Sequence, residues 1–175
     1  MDLEMTNLDP NKDIILEVAV EITDFKFKTL ATYEATITHP KEKVLRLMAA
    51  NAWWQGFPEN RDEFVKKLEF GKPLGQVEKD LVALVEANFG SEPAYLAGNS
   101  IHSDRKFIAK YWPELDLKLH YRMLDVSSFK ILMQGKYGYF YDKKEVHRAY
   151  DDIQASIAEL QSYLDYFKNN INNIE

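Results

Sequence analysis

Asp2 and Glu4 are two carboxylates separated by a single residue in the opening segment Asp2-Leu3-Glu4-Met5-Thr6. On an extended strand side chains alternate, so both project from one face. Two acids held side by side on a strand repel each other unless something positive lies between them, and a divalent cation is the usual solution. Asp104 is a third acid of interest. On a helix covering 103–111 it shares a face with Phe107, Ile108 and Tyr111, at i+3, i+4 and i+7, the face that turns toward a core. The helix dipole also favours an acid in the first turn, so this position alone does not demand chemistry.

The fourth acid comes from His147-Arg148-Ala149-Tyr150-Asp151-Asp152. The helix that follows carries an apolar stripe of Ile153, Ile157, Leu160, Leu164 and Phe167. At about 100° per residue, Asp151 falls nearly opposite that stripe and should face solvent. Asp152 falls at its edge, where a side chain can look into a cleft, so periodicity selects Asp152. His147 stands one turn earlier. A histidine there serves equally well as a surface or capping residue, but an ordinary pKa of about 6.5 suits a general base near neutrality. Asp2, Glu4, Asp104 and Asp152 together form an oxygen-only ligand set that suits Mg²⁺ or Mn²⁺. Four acids around two metals about 4 Å apart make a phosphoryl-transfer site, with a histidine placed to take a proton from water.

These residues need elements to position them. Strands are expected at 2–5, 13–23 and 27–38, the last two rich in β-branched residues. Helical patterns follow at 41–52, 61–69 and 76–88, then a short apolar strand at 93–97. Ser103 opens a helix to Tyr111 and Pro113 opens another. A strand is expected at 122–126, a helix at 127–134, and a final long helix at 145–167 before a polar, Asn-rich tail at 168–175. Strands first, then strands alternating with helices, predict an α/β fold with a central mixed sheet flanked by helices.

Composition narrows the field. The 175 residues are expected to form one domain with a sizeable core. There are no cysteines, which excludes thiol catalysis and thiolate metal sites and fits a cytoplasmic location. No apolar run approaches the length of a membrane span. The net charge of −6 argues against a long, nonspecific nucleic-acid track, because backbone binding is driven by phosphate neutralisation. It does not argue against a nucleotide-sized site.

Four segments carry a resemblance. Asp2 through Thr6, Gly98-Asn99-Ser100-Ile101 with Asp104-Arg105, His120 through Ser127, and His147 through Asp152 resemble the oligoribonuclease family. That family belongs to the DEDDh group of 3′→5′ exonucleases, with an RNase H-like fold. The resemblance covers nearly the whole chain. It implies that Asp2, Glu4, Asp104 and Asp152 bind two divalent cations, Mg²⁺ or Mn²⁺, and that His147 is the base. It implies that Leu8 wedges between substrate bases, and that Ser100, Arg122, Ser127 and Ser128 cap the 5′ phosphate of a short single-stranded RNA. It also implies a homodimer in which Tyr121 reaches the other subunit's site.

Two departures from the family pattern stand out. Asn7 replaces a glycine in the turn after the first strand, where asparagine best tolerates a left-handed conformation. The stretch Trp54-Gln55-Gly56-Phe57-Pro58-Glu59-Asn60 lacks a histidine that the family carries. Trp53, Trp54 or Phe57 could supply base stacking instead, with at least one of the adjacent tryptophans packed in the core. The expected activity is hydrolysis of dinucleotide-sized RNA to mononucleotides. A related exonuclease trimming tRNA ends or single-stranded DNA remains open, as does a nucleotide-binding homologue impaired in catalysis. The family places apolar residues before this aspartate, so the reading frame is expected to begin upstream of Met1.

Overall fold

In the first sheet a buried central strand lies between two tight turns. The computed structural model describes residues 1–142 and 149–170. β1 (Asp2–Met5), β2 (Ile15–Thr23) and β3 (Thr29–Thr36) form an antiparallel sheet in that order. β2 is buried from Ile15 to Ala19, as expected for a β-branched strand with neighbours on both edges. The β1–β2 turn is held by side chains. Asp13 accepts the Thr6 hydroxyl at 3.0 Å and the Asp9 N–H at 3.2 Å, while Thr6 Oγ1 accepts the Ile14 N–H at 3.1 Å. These bonds make the bend without a left-handed residue at Asn7. The non-glycine residues with positive φ, among those described, are Phe27 and Ser100.

β4 (Ala94–Gly98) and β5 (Leu119–Asp125) form a separate parallel pair. The single mixed sheet expected from the sequence is therefore divided into an antiparallel and a parallel part. The two adjoin at Met1, whose amino group donates to the Ala97 carbonyl at 2.9 Å. Two residues on, the N–H pointing to the same side belongs to Leu3, and it donates to the Asp104 side chain at 3.0 Å. A side-chain carboxylate thus takes the place of a ladder bond to β4. Gly98 permits the close approach, because a Cβ there would lie 2.7 Å from the Met1 carbonyl oxygen.

Eight helices are described: α1 (Lys41–Ala49), α2 (Ala52–Gly56), α3 (Pro58–Lys67), α4 (Leu74–Phe89), α5 (His102–Tyr111), α6 (Pro113–Asp116), α7 (Val126–Tyr137) and α8 (Ala149–Asn170). The five-residue α2 breaks the helical run expected at 41–52, because Asn51 leaves the helical conformation and its side chain accepts the Trp53 N–H. α8 extends to Asn170, further than the pattern suggested, and residues 143–148 and 171–175 lie outside the description. No helix among the described residues is long and apolar enough to cross a membrane.

The helices pack on both sides of the first sheet. Leu3, Ile15 and Val18 bury against Leu81, Phe107 and Ile108, which belong to α4 and α5. On the opposite face, Ala19 is the register partner of Asp2 and packs with Ala149 and Ile153 of α8. A methyl side chain at Ala19 leaves room for the helix to come close. The first turn of α8 therefore lies over the strand face that carries Asp2 and Glu4.

Candidate active site

β1 alternation and the seating of α8 bring three acids together. Asp2, Glu4 and Asp152 each offer a carboxylate oxygen within 4.8 Å of the others. All three are half-buried, whereas Asp151 is exposed. The helical phase that separates these adjacent aspartates is thus realised in the packing of α8. The donor set is carboxylate oxygen alone, which fits a hard divalent cation such as Mg²⁺ or Mn²⁺.

Asp104 stands beside this trio rather than within it. It is 5% exposed, and its Oδ1 accepts the Leu3 N–H from between the two β1 acids. Burial first, and the nearby charge of Asp2 second, push its carboxyl up to about 7. The four acids expected to act as one set are therefore three converging groups and one buried partner that grips their strand. His147 lies outside the described residues.

A slot of about 400 Å³ opens next to Glu4, lined by Leu8, Asn51 and Trp53 among others. Leu8 is 65% exposed, held out at the tip of the Asp13-braced turn. The tryptophans divide their roles. Trp54 is buried, packs edge-on to Phe64 and donates its indole N–H to the Thr6 carbonyl at 3.0 Å. It is a core residue that anchors the β1–β2 turn, and it lines the inner wall of the slot beside Trp53. Trp53 is half-buried and faces the slot, with Phe57 against it at 4.7 Å between ring centroids. Phe57 does not line the slot itself and backs Trp53 instead.

Among the polar residues expected to cap a phosphate, Ser100 and Ser127 are bonded to each other. Ser100 has φ +50°, a left-handed conformation that costs energy for a residue with a Cβ. Its N–H lies 3.0 Å from both Asp125 Oδ1 and Ser127 Oγ, and the two serine hydroxyls are 3.2 Å apart. Asp125 also caps α7 by accepting the Ser127 N–H. Ser128 is exposed in the first turn of α7. Arg122 lies on β5 with its guanidinium 5.1 Å from the Tyr121 ring centroid, and no hydrogen bond or ion pair joins it to the serines. Tyr121 is 73% exposed and also stacks on His120.

Sequence reasoning missed the residues beneath this cluster. Ser156, Glu159 and Tyr163 are buried at successive turns of α8, on a face that also bears Leu160. Their i, i+3, i+7 spacing was a readable signal, hidden because apolar residues drew the stripe. A larger cleft of about 530 Å³, with Phe27, Phe129 and Ile157 among its walls, reaches Met1 and Ile153, the chain neighbours of Asp2 and Asp152. Asp2, Glu4, Asp104 and Asp152 do not line it.

Known proteins are similar to this chain. Residues 1–160 match the RNase T exonuclease family. A probable oligoribonuclease of Caenorhabditis elegans is 37% identical, across 93% of this chain and 84% of that protein. One from Dictyostelium discoideum is also 37% identical, across 93% and 86%. The oligoribonuclease of Escherichia coli O157:H7 is 36% identical, across 95% and 93%.

Proposed function

This chain belongs to the RNase T exonuclease family, as a phosphodiester hydrolase homologous to oligoribonucleases, and from that premise we propose that it hydrolyses very short single-stranded RNA from the 3′ end to mononucleotides. The observation that carries the reading is the convergence of Asp2, Glu4 and Asp152 beside the slot bounded by Leu8 and Trp53. The three carboxylates would hold the divalent cations, Mg²⁺ or Mn²⁺, with Asp104 as the fourth member. Bound there, the cations supply Lewis acidity and neutralise charge at the phosphodiester.

The chain's own groups do the rest. Leu8 and Trp53 would receive the 3′-terminal base, since stacking on an aromatic face tolerates any base. His147, five residues before Asp152, would take the proton of the attacking water. The water oxygen bonds to phosphorus, the bond from phosphorus to the upstream 3′ oxygen breaks, and the 3′ nucleotide leaves with a 5′ phosphate. Ser100 and Ser127, with Ser128 and Arg122 nearby in sequence, would meet the 5′ phosphate of the remaining strand. Ser156 donates to the Asp152 carbonyl at 2.7 Å and accepts from Asn99 at 2.9 Å. The serine cluster is thereby tied to the metal-binding turn of α8. A cap tied so near the acids supports a preference for dinucleotide-sized substrates. The exposed Tyr121 supports a homodimer in which it completes the partner's site.

The test is cleavage of 5′-labelled RNAs of two to about twenty nucleotides, a length series chosen around a nucleotide-sized site, in Mg²⁺ or Mn²⁺. Preferential cleavage of dinucleotides is expected. Faster cleavage of the longer RNAs would overturn the short-substrate reading, and cation-independent cleavage would overturn the metal assignment.

A further inference from the structure

Glu17 is a buried acid of β2 with no place in the chemistry described above. It stands directly opposite Glu4 in the antiparallel register, and Asp2 stands opposite Ala19, the next residue of β2 on the same face. Opposed residues of an antiparallel pair point to one side of the sheet, with Cβ atoms about 4.5–5.5 Å apart, and like charges placed so are destabilising. Glu17 is 7% exposed, so salt and water screen little of that repulsion. It does not join the three carboxylates that converge within 4.8 Å. It acts on them by charge across the strands, not by adding a ligand.

A cation of the chain itself answers part of this charge. Lys67, the last residue of α3, brings Nζ to 3.9 Å from Glu17 Oε2 and 3.8 Å from Glu63 Oε1. At 3.9 Å the contact with Glu17 is an attraction between charges rather than a hydrogen bond. The lysine side chain is 43% exposed, so its charge is screened as well as shared between two carboxylates.

We propose that Glu17 is a positioning residue for the cation site, an outer carboxylate that strengthens divalent-cation binding at Asp2, Glu4 and Asp152, with Lys67 as the counter-charge that limits its cost to the metal-free fold. This rests on the reading of the three carboxylates as the cation site. In the metal-free protein Glu17 and Glu4 repel, and Lys67 offsets the repulsion. Both carboxylates attract a cation held by Glu4, so binding recovers what the metal-free fold loses. The lysine has the opposite sign. Its charge helps the metal-free fold and opposes the cation.

The experiment measures Mn²⁺ affinity by calorimetry, and the melting temperature in chelator, for wild type, Glu17→Gln and Lys67→Met. Glu17→Gln keeps the shape of the side chain and loses its charge. It should melt no lower than wild type in chelator, because the lysine left behind is partly solvated. Its Mn²⁺ affinity should fall about tenfold, the lower end of the range for groups that support a metal from outside its ligands. Lys67→Met keeps most of the length of the side chain and loses its charge. It should melt lower in chelator yet bind Mn²⁺ about threefold more tightly, the scale of a solvent-screened charge. Lys67→Met alters a partly exposed side chain, so it carries the test if Glu17→Gln does not fold. Unchanged affinity in the folded variants overturns the inference and leaves the proposed function standing. So does a variant whose affinity and melting temperature fall together, the mark of a purely structural role. A wild type that binds no Mn²⁺ overturns both.

Discussion

Asp104 Oδ1 accepts the backbone N–H of Leu3 at 3.0 Å, so the helix acid grips β1 at the residue between Asp2 and Glu4. The bond does two things. It replaces a ladder bond between β1 and β4, and it fixes the strand that aims two acids at α8. The cost is a buried carboxylate beside Asp2, which is like-charged and close enough to raise the Asp104 pKa.

Asp104→Asn separates these roles. The amide oxygen can still accept from Leu3, while the buried charge is gone. The melting temperature without added metal should therefore hold or rise. Metal-supported RNA cleavage should fall at least about 100-fold, the upper range for groups that support a metal site. Thermal melts and initial rates on one preparation check both, and a drop in both together would assign Asp104 a purely structural role.

Asp151 and Asp152 are adjacent, yet only Asp152 joins Asp2 and Glu4. Asp152→Ala should abolish measurable cleavage and weaken Mn²⁺ binding read by calorimetry. Asp151→Ala should retain most of both, because its side chain is exposed on the far side of α8. Equal losses would contradict the helical phase.

Trp53 and Trp54 should separate in the same way. Trp54→Ala removes a fully buried ring and one of the two side-chain bonds to the Thr6 carbonyl, the other coming from Asn51, so unfolding in urea should come earlier by about 3–5 kcal/mol. Trp53→Ala should weaken dinucleotide binding by about 1–3 kcal/mol, the range for base stacking, with a much smaller change in unfolding. The reverse pattern would move the base slot elsewhere.

How much of this was legible depended on where the partners lie along the chain. The Asp151–Asp152 choice was readable because both sit on one long helix with a clear period. Strand alternation likewise placed Asp2 and Glu4. Trp53 and Trp54 were not separable, because α2 has only five residues and shows no period. The division of the sheet was hidden because it turns on a side chain 101 residues away taking the Leu3 N–H. Asn99 and Glu159, 60 residues apart, meet only after α8 has packed. The resemblance supplied the serines by position, but not the left-handed backbone at Ser100 or the buried carboxylate beneath it.

His39 provides a pH-dependent contribution to stability remote from the acids. Its Nε2 lies 2.7 Å from the Ile15 carbonyl, so the neutral ring donates to the start of β2. Burial first, and the positive charge of Lys43 in the same direction, lower its pKa against the opposing pull of the Ile15 bond. The folded state thus binds this proton less readily than the unfolded chain, where the pKa is about 6.5. Stability from this group is full above the unfolded value and is lost as pH falls through it toward the lower folded value. His39→Gln can still donate to Ile15 but cannot charge. The urea midpoint of wild type should therefore drop further than that of His39→Gln between pH 7.5 and pH 5.5, a range chosen to span that unfolded pKa. Because the carboxylates titrate alike in both proteins, the difference between the two curves isolates His39, and parallel curves would show that its ring carries no such linkage.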